Sequence, residues 1–161
     1  MKVPFMNEHI TQVAADMPYL RRFARVLTGS REVGDSYALA ALEAALTEPT
    51  FDSATDARER LYQALVTAWE PIARDEVAFD VRAAPKTLGV DVNLTVVAPL
   101  PRAAFLLQSM EEFDIDQVAV ILRRSVSDVE HLIDQAGEEL AAQISSDVLI
   151  TKDERMVSSG L

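Results

Sequence analysis

The stretch IDQVAVILRRSVSDVEHLIDQAGEELAAQ, residues 115–143, decides the fold that this sequence predicts. Its apolar residues recur at three- and four-residue intervals in two blocks, and Arg123, Arg124 and Ser125 separate the blocks. This spacing is typical of two amphipathic helices joined by a short turn, so the stretch predicts a helix-turn-helix. The apolar positions are Val118, Ala119, Ile121 and Leu122, then Val129, Leu132, Ile133, Ala136 and Leu140.

The charge of the second helix contradicts a DNA-reading role. In a DNA-binding motif this helix, here residues 127–143, would lie in the major groove. Affinity for nucleic acid comes mainly from basic side chains that displace counterions, and this helix contains no Lys or Arg. The sequence therefore predicts the shape of a DNA reader with a charge that repels phosphate. Its carboxylates are Asp128, Glu130, Asp134, Glu138 and Glu139.

Composition restricts the class of partner. The 161 residues are 49% hydrophobic, which is enough for a core, and they carry a formal net charge of −11. A charge of this sign argues against DNA, RNA or an anionic membrane as the main partner and leaves basic proteins or metal cations open. The chain has no cysteine, no apparent signal peptide and no run of about 20 apolar residues, so we expect a soluble cytoplasmic protein.

Upstream of this stretch, residues 1–74 predict a first helical domain. Asn7 can cap a short helix, Pro18 is expected to open the next helix, and Gly29 fits its C-terminal end. Ser30 can then cap a long alanine-rich helix.

Residues 75–98 lack helical periodicity, and we predict that they form a linker. A connection of this length is unusual inside one compact domain, so the expected fold class is all-α, with two helical subdomains. The second subdomain, residues 99–144, opens with a Pro-rich helix start and contains the helix-turn-helix. In residues 145–161, the apolar run 148–150 predicts one strand with nothing to pair against, which suggests the beginning of another domain.

The sequence gives no sign of catalysis. It has no Gly-rich phosphate loop and no nucleophile motif, and its carboxylates are spread along helices. His131 and Asp134 share a spacing that puts them on one helical face, but two side chains without a third ligand seldom hold a transition metal. We therefore expect no enzyme activity, no metal site and no cofactor.

The order of elements resembles regions two and four of extracytoplasmic-function sigma factors over most of residues 7–143. The resemblance rests on LRRFARVLTGSREVGD (residues 20–35), a linker, and a second block that opens with Leu-Pro and closes with a helix-turn-helix. Arg123 stands where such sigma factors usually have a small residue. The segment that docks on RNA polymerase in that family corresponds here to residues 35–39, Asp-Ser-Tyr-Ala-Leu. The resemblance therefore implies that both polymerase docking and DNA reading are lost.

A narrower resemblance is to the sigma-factor-like domain of PhyR, the general stress response regulator of alphaproteobacteria. The match is SVSDVEHLIDQAGEELAAQISSDVLI, residues 125–150, because in that family an acidic helix in the recognition position runs into the first strand of a receiver domain. Asp153 and Glu154 then correspond to the acidic pair that helps to hold Mg²⁺ in a receiver. The sequence given contains no phosphoacceptor that can be carried over.

This resemblance implies an anti-anti-sigma mechanism by mimicry. The sigma-like domain binds the anti-sigma factor NepR in place of the true sigma factor, and in the full-length family the receiver covers that surface in cis until it is phosphorylated. Ordinary core packing is the alternative explanation for the apolar candidate contacts. The candidate contacts are Phe23, Leu27, Tyr37 and Leu42 in the first half, and Leu107, Ile121, Glu130 and Asp134 in the second.

A working sigma factor, which binds polymerase and promoter DNA, is the second hypothesis. It requires a basic face that folding assembles from distant residues. The candidates for that face are Arg21, Arg22, Arg25, Arg123 and Arg124. A helical scaffold or enzyme fragment is a third hypothesis, which a pocket lined by polar groups would favour.

Overall fold

The computed structural model describes residues 4–47, 56–79 and 94–158 and builds them from helices. None of the described residues forms a strand, so the predicted all-α class is confirmed. The elements are α1 (Pro4–Thr28), α2 (Arg31–Thr47), α3 (Ala57–Phe79), a short 3₁₀ helix (Leu94–Val96), α4 (Pro99–Ser109), α5 (Ile115–Leu122) and α6 (Val126–Ser158).

The first helix, α1, continues through Pro18, where the sequence predicted that a new helix opens. Val13, Leu20 and Leu27 lie seven residues apart and are all buried, so a single helix places them on one face. Pro18 itself is exposed and costs α1 one backbone hydrogen bond. Packing on both sides of Pro18 offsets that cost, and the prediction of two separate helices was wrong.

The turn between α1 and α2 has the predicted chemistry. Gly29 follows the last residue of α1 with a φ of 72°, a left-handed conformation that glycine adopts without strain. The hydroxyl of Ser30 accepts a hydrogen bond from the Val33 backbone N–H at 3.2 Å and so caps α2. The predicted end of α1 and start of α2 are confirmed.

Small residues on α2 let it lie close to α1. The tightest approach is at Gly34, where an added Cβ would lie 2.6 Å from the backbone N of Arg25. Only a residue without a side chain fits at this distance, so Gly34 sets the separation of the two helices. The buried residues of α2 are Gly34, Ala38, Ala41 and Ala45.

The third helix, α3, completes the first half by packing on both α1 and α2. Its N-terminus is capped by Asp56, whose Oδ1 accepts from the Arg58 N–H at 3.1 Å. The helix then runs through Pro71 to Phe79 and buries one face. The buried residues are Leu61, Tyr62, Leu65, Val66, Trp69 and Ala73.

The helix-turn-helix is present as predicted. Asp114 and Gln117 form a reciprocal capping box at the start of α5, with both hydrogen bonds at 2.9 Å. α5 ends at Leu122, and the C-cap residue Arg123 has a φ of 55°. The hydroxyl of Ser125 caps α6 by accepting from the Asp128 N–H at 3.1 Å. The buried residues on the inner faces are Val118, Ala119, Ile121, Leu122, Val129 and Ala136.

Two expectations about the connecting segments need correction. α3 extends to Phe79, so residues 75–79 are helical and not linker, and a 3₁₀ helix forms near the other end of the predicted linker. The strand expected at residues 148–150 is also wrong, because α6 continues through these residues to Ser158. A lone strand leaves its backbone groups unpaired, whereas a helix satisfies them within the segment. Residues 80–93, the middle of the predicted linker, lie outside the described residues.

Candidate partner-binding surface

The two halves are packed against each other, and α3 of the first half meets α5 and the loop before it. An aromatic row crosses this junction. The Tyr62 ring lies 5.1 Å from the Phe23 ring and 5.2 Å from the Phe113 ring, edge to face in both cases. Phe113 is buried in the loop between α4 and α5, so the second half inserts an aromatic side chain against the first.

An ion pair across the same junction joins Arg58 of α3 to the loop. The Nη2 atom of Arg58 donates to the carbonyl oxygen of Glu111 at 3.0 Å and to its Oε2 at 3.1 Å. The guanidinium also lies 4.2 Å from the centre of the Phe113 ring, a cation–π distance. Burial, followed by the nearby Glu111 carboxylate, raises the pKa of Tyr62 well above its usual range. Loss of Arg58 would leave the buried Glu111 carboxylate without its countercharge.

A further carboxylate, that of Asp16 on α1, lies in the electrostatic field of this ion pair. Burial raises its pKa, the Arg58 charge opposes the shift, and Asp56 and Glu111 add to it. Among the described residues, no hydrogen-bond partner reaches the buried Oδ2 atom of Asp16. Its charged form is therefore disfavoured in the folded protein.

Arg102 makes a second connection between the halves. This α4 residue is 5% exposed, and its Nη1 donates to the Leu27 carbonyl oxygen of α1 at 2.7 Å. Its Nε and Nη2 donate to the Val97 carbonyl oxygen at 3.1 and 2.8 Å, and its guanidinium lies 5.7 Å from the Trp69 ring. Burial lowers the pKa of Arg102 to about 10, although the charge of Glu139 opposes the shift. Arg102 thus stays charged at neutral pH and ties α4 to α1.

Four of the eight predicted contact residues are core residues in this arrangement. They are Phe23, Leu27, Leu107 and Ile121, and each is at most 1% exposed. These side chains are shielded from solvent, so they are ordinary core residues while the two halves are packed together.

Tyr37 and Leu42 on α2 are half-buried and pack against the core. Leu39 and Leu46 are each 55% exposed. The helical spacing puts Leu39, Leu42 and Leu46 on one side of α2, and we call these three residues the leucine flank. Their apolar character is visible in the sequence, but only the structure separates them from the buried alanines.

Glu130 and Asp134 are both exposed on α6 and lie one turn apart. Asp128 and Glu138 are exposed on the same helix, whereas Val129 and Ala136 are fully buried. We call the exposed carboxylates Asp128, Glu130, Asp134 and Glu138 the acidic face. The side of α6 that a DNA reader would present to phosphate therefore carries negative charge.

The arginines that a DNA-binding face would need are partly neutralised. Arg25 donates to both carboxylate oxygens of Asp35, at 2.7 and 2.9 Å, and Arg21 donates to the same carboxylate at 3.3 and 3.5 Å. These hydrogen bonds, first from Arg25 and then from Arg21, hold the pKa of Asp35 well below its usual range. Two of the five arginines proposed for a basic face are thus engaged in joining α1 to α2.

The described residues show neither a metal-ligand cluster nor a helix suited to a membrane. In that part of the chain, no set of three or more His, Asp or Glu side chains is arranged to hold a metal ion. No described helix combines the length and the apolar character that crossing a membrane requires.

The junction residues Arg58, Glu111, Phe113 and Arg102 were missed by the sequence reasoning. Arg102 gives a weak signal, because it is the single charge in the apolar run PLPRAAFLL, residues 99–107. Phe113 gives another, since it stands between acidic residues in a loop. Neither signal identifies the partner across the junction.

This geometry, with a three-helix half, a docked second half and a helix-turn-helix, is that of a sigma-factor-like protein with regions two and four. The fold is shared with the sigma factor RpoE of Bartonella quintana, solved in complex with the anti-sigma factor NepR. The TM-score is 0.68 at 16% identity, and the match covers 87% of this chain and 98% of RpoE. At this identity the likeness concerns the fold alone.

Two family models match the halves separately, the Sigma2 domain of PhyR at residues 13–66 and the sigma-like domain of the response regulator PhyR at residues 94–143. The chain belongs to the family of PhyR sigma-like domains. It is 38% identical over 154 residues to the phyllosphere-induced regulator PhyR of Methylorubrum extorquens, covering 92% of this chain and 55% of that protein. The chain therefore spans about half the length of this curated relative.

A solved relative covers the same region. The sigma-like domain of PhyR from Sphingomonas sp. Fr1, determined in complex with NepR, is 31% identical with a TM-score of 0.58. The match covers 82% of this chain and 86% of that one. The predicted family is thus confirmed.

Proposed function

We propose that this chain is an anti-anti-sigma module, which binds an anti-sigma factor of the NepR type in place of the sigma factor and so releases the sigma factor. One observation carries the proposal. The chain has the sigma-like fold, but the exposed side of α6 is acidic, at Glu130 and Asp134 among others. α6 is the recognition-position helix, because it takes the place that the DNA-recognition helix has in a helix-turn-helix. A protein that imitates the shape of a sigma factor needs its partner-binding surface and gains nothing from affinity for promoters. We place this binding in the cytoplasm, where a released sigma factor would act.

The exposed surfaces support a helical partner with basic side chains. The leucine flank on α2 offers apolar area that would be removed from water, and the acidic face on α6 offers charge complementarity. We propose Leu42, Glu130 and Asp134 as direct contacts, together with half-buried Tyr37.

For the four buried candidates we propose an indirect role. Phe23, Leu27, Leu107 and Ile121 form the core on which the contact surfaces rest. Truncating any of them would weaken binding by destabilising the platform, so a loss of binding in such variants would have to be compared with the loss of folding stability.

The direct test is titration of the purified chain with a NepR-type protein by calorimetry. We expect a one-to-one complex at micromolar concentration or tighter. Failure to form a complex in that range, with a chain that is folded by circular dichroism, would overturn the proposal.

Surface variants locate the binding site. Leu39→Asp and Leu46→Asp should weaken binding at least tenfold without unfolding the chain, because both side chains are already exposed. Ile72→Asp on α3 is the matched control, since Ile72 is 49% exposed and lies away from the leucine flank in sequence. If the Ile72 variant loses as much affinity as the Leu39 variant, the leucine flank is not the site.

The charges can be tested separately. Glu130→Lys with Asp134→Lys should weaken binding and reduce its salt dependence, because the long-range attraction to a basic partner is removed. Asp75→Lys together with Asp116→Lys, at exposed residues of α3 and α5, is the control with the same change of charge. Equal losses from both changes would indicate a general effect of net charge.

No observation favours a working sigma factor over this proposal. Arg21 and Arg25 are paired with Asp35, and the recognition-position helix presents carboxylates. Binding to a promoter fragment that weakens steeply with salt would support the sigma-factor hypothesis instead.

We propose four functional units, which are residues 1–74, 75–98, 99–144 and 145–161. α3 extends from the first unit into the second, and α6 extends from the third unit into the fourth. The resemblance carries a phosphoacceptor role onto none of residues 1–161, so we propose further that these residues bind the partner without being phosphorylated. A phosphodonor such as acetyl phosphate should therefore leave their affinity unchanged, and a phosphodonor-dependent affinity would contradict this.

A further inference from the structure

The C-terminal end of α1 is capped by a side chain from the other half. The last carbonyl groups of a helix lack partners within it and carry partial negative charge. Here Gly29 N–H donates to the Arg25 carbonyl oxygen at 2.9 Å, and the Thr28 hydroxyl donates to that of Ala24 at 2.8 Å. The Leu27 carbonyl oxygen receives the Arg102 guanidinium at 2.7 Å. The hydrogen bond from Arg102 to Leu27 therefore both joins the two halves and satisfies a carbonyl group at the end of α1.

The side chain of Glu139 on α6 supports the segment that carries Arg102. Its Oε2 accepts from the Ala98 N–H at 3.1 Å, at the residue before α4, where no side chain of α4 itself provides a cap. Its Oε1 accepts from Gln135 at 3.1 Å, which fixes the carboxylate on α6. The negative charge of Glu139 also favours the charged form of Arg102. Glu139 therefore makes hydrogen bonds within the protein, whereas the carboxylates of the acidic face are exposed to solvent.

We propose that Glu139 and Arg102 couple the position of α6 to the docking of the two halves, so that displacing α6 from α4 loosens α1 from α4. The path runs from Glu139 to the Ala98 N–H, from the Ala98 carbonyl oxygen to the Arg102 N–H at 3.0 Å, and from the Arg102 side chain to the Leu27 carbonyl oxygen. Beyond Glu139, α6 continues to Ser158, a further rise of roughly 28 Å at 1.5 Å per residue. A force applied to residues 140–158 of α6 would therefore reach the contact between the two halves through Glu139.

The experiment measures the distance between the halves directly and needs no partner protein, so its failure is separate from failure of the proposed function. The chain has no cysteine, so two labels can be placed alone. Glu43→Cys on α2 and Asp116→Cys on α5 are both exposed and lie outside α6. Double electron–electron resonance on spin labels at these sites should give one narrow distance distribution for the parent chain.

Glu139→Gln should add a longer-distance population, and Glu138→Gln should not. Both changes remove one neighbouring negative charge from α6, but Glu138 is exposed on the acidic face. Ala136→Leu should also add the longer-distance population, because a larger side chain at this fully buried position pushes α6 outward. The exposed Gly137→Ala is its control.

Coupling through Arg102 is tested by a double change. In an Arg102→Met background, Glu139→Gln should have little further effect, because the path is already broken. If Arg102→Met does not fold, Arg102→Lys keeps the charge but loses the forked contact, and it serves the same comparison. The proposal is overturned if Glu139→Gln leaves the distances unchanged, or if its full effect persists without Arg102.

Discussion

Replacing Gly34 by alanine tests the close contact between α1 and α2. The new Cβ would lie 2.6 Å from Arg25 N, 2.7 Å from Arg25 Cα and 2.8 Å from Ala24 C. Ordinary carbon contacts are about 3.5–4.0 Å, so α2 must retreat by roughly 1 Å. All three clashing atoms are backbone atoms, so a change of rotamer cannot relieve the contact. The retreat would also stretch the 2.7 Å bond between Arg25 and Asp35.

The expected cost can be estimated from two opposing effects. Overpacking costs about 1–3 kcal/mol, with backbone clashes at the upper end, and alanine regains about 0.5–1 kcal/mol over glycine inside a helix. The net loss should be about 2 kcal/mol, which lowers the melting temperature of a chain of this size by about 4–8 °C.

Gly137→Ala is the matched control for the same chemical change. Gly137 lies within α6, and nothing lies within 4 Å of an added Cβ. Only the gain in helix propensity applies, so stability should rise by about 0.5–1 kcal/mol. Thermal and urea unfolding, followed by circular dichroism, should separate the two variants in opposite directions. If Gly34→Ala matches or exceeds the stability of the parent, the helices are not held at this distance.

Three further substitutions test the charges and the junction. Asp35→Asn should destabilise the chain at pH 7. Because the pKa of Asp35 is lowered in the folded state, the Asp35 carboxylate contributes stability above its unfolded pKa of about 3.9, and that contribution is lost as the pH falls below this value. The urea midpoints of parent and variant should therefore converge at low pH. Asp16→Asn should do the opposite and stabilise the chain at neutral pH, because a raised pKa means that the folded state disfavours the charged form; equal midpoints at pH 7 would contradict this. Phe113→Leu should lower the free energy of unfolding by about 1–3 kcal/mol, because the Arg58 cation–π contact and the Tyr62 ring contact are lost. An unchanged urea midpoint would mean that the junction does not stabilise the protein.

Local signals in the sequence predicted the elements well where short-range chemistry decides them. Gly29 ends α1 and Ser30 begins α2 through contacts within a few residues, and such contacts are visible in a pattern of residue types. The predictions failed at Pro18 and at residues 148–150. At Pro18 the packing of a long face outweighs a local breaker, and at residues 148–150 an apolar run of three does not distinguish a strand from a helix.

The junction could not be predicted from the sequence for a different reason. Arg58 and Glu111 are 53 residues apart, and Arg102 and Leu27 are 75 residues apart. Nothing in the local pattern of one partner specifies the other, so these pairs depend on the whole fold. The same limit affected the candidate contacts, because Leu27 and Leu39 are equivalent as residue types while one is buried and the other exposed.

The two faces of α6 explain how a sigma-like fold can lose DNA affinity without losing its shape. Val129 and Ala136 are fully buried and fix the helix against the rest of the second half, so they keep the fold. Glu130 and Asp134 are exposed, and exchanging such side chains changes stability little. Charge on the outer face can therefore change from basic to acidic while the buried face stays apolar. Glu139 marks the limit of that freedom, because its carboxylate is bonded to Ala98 at the start of α4.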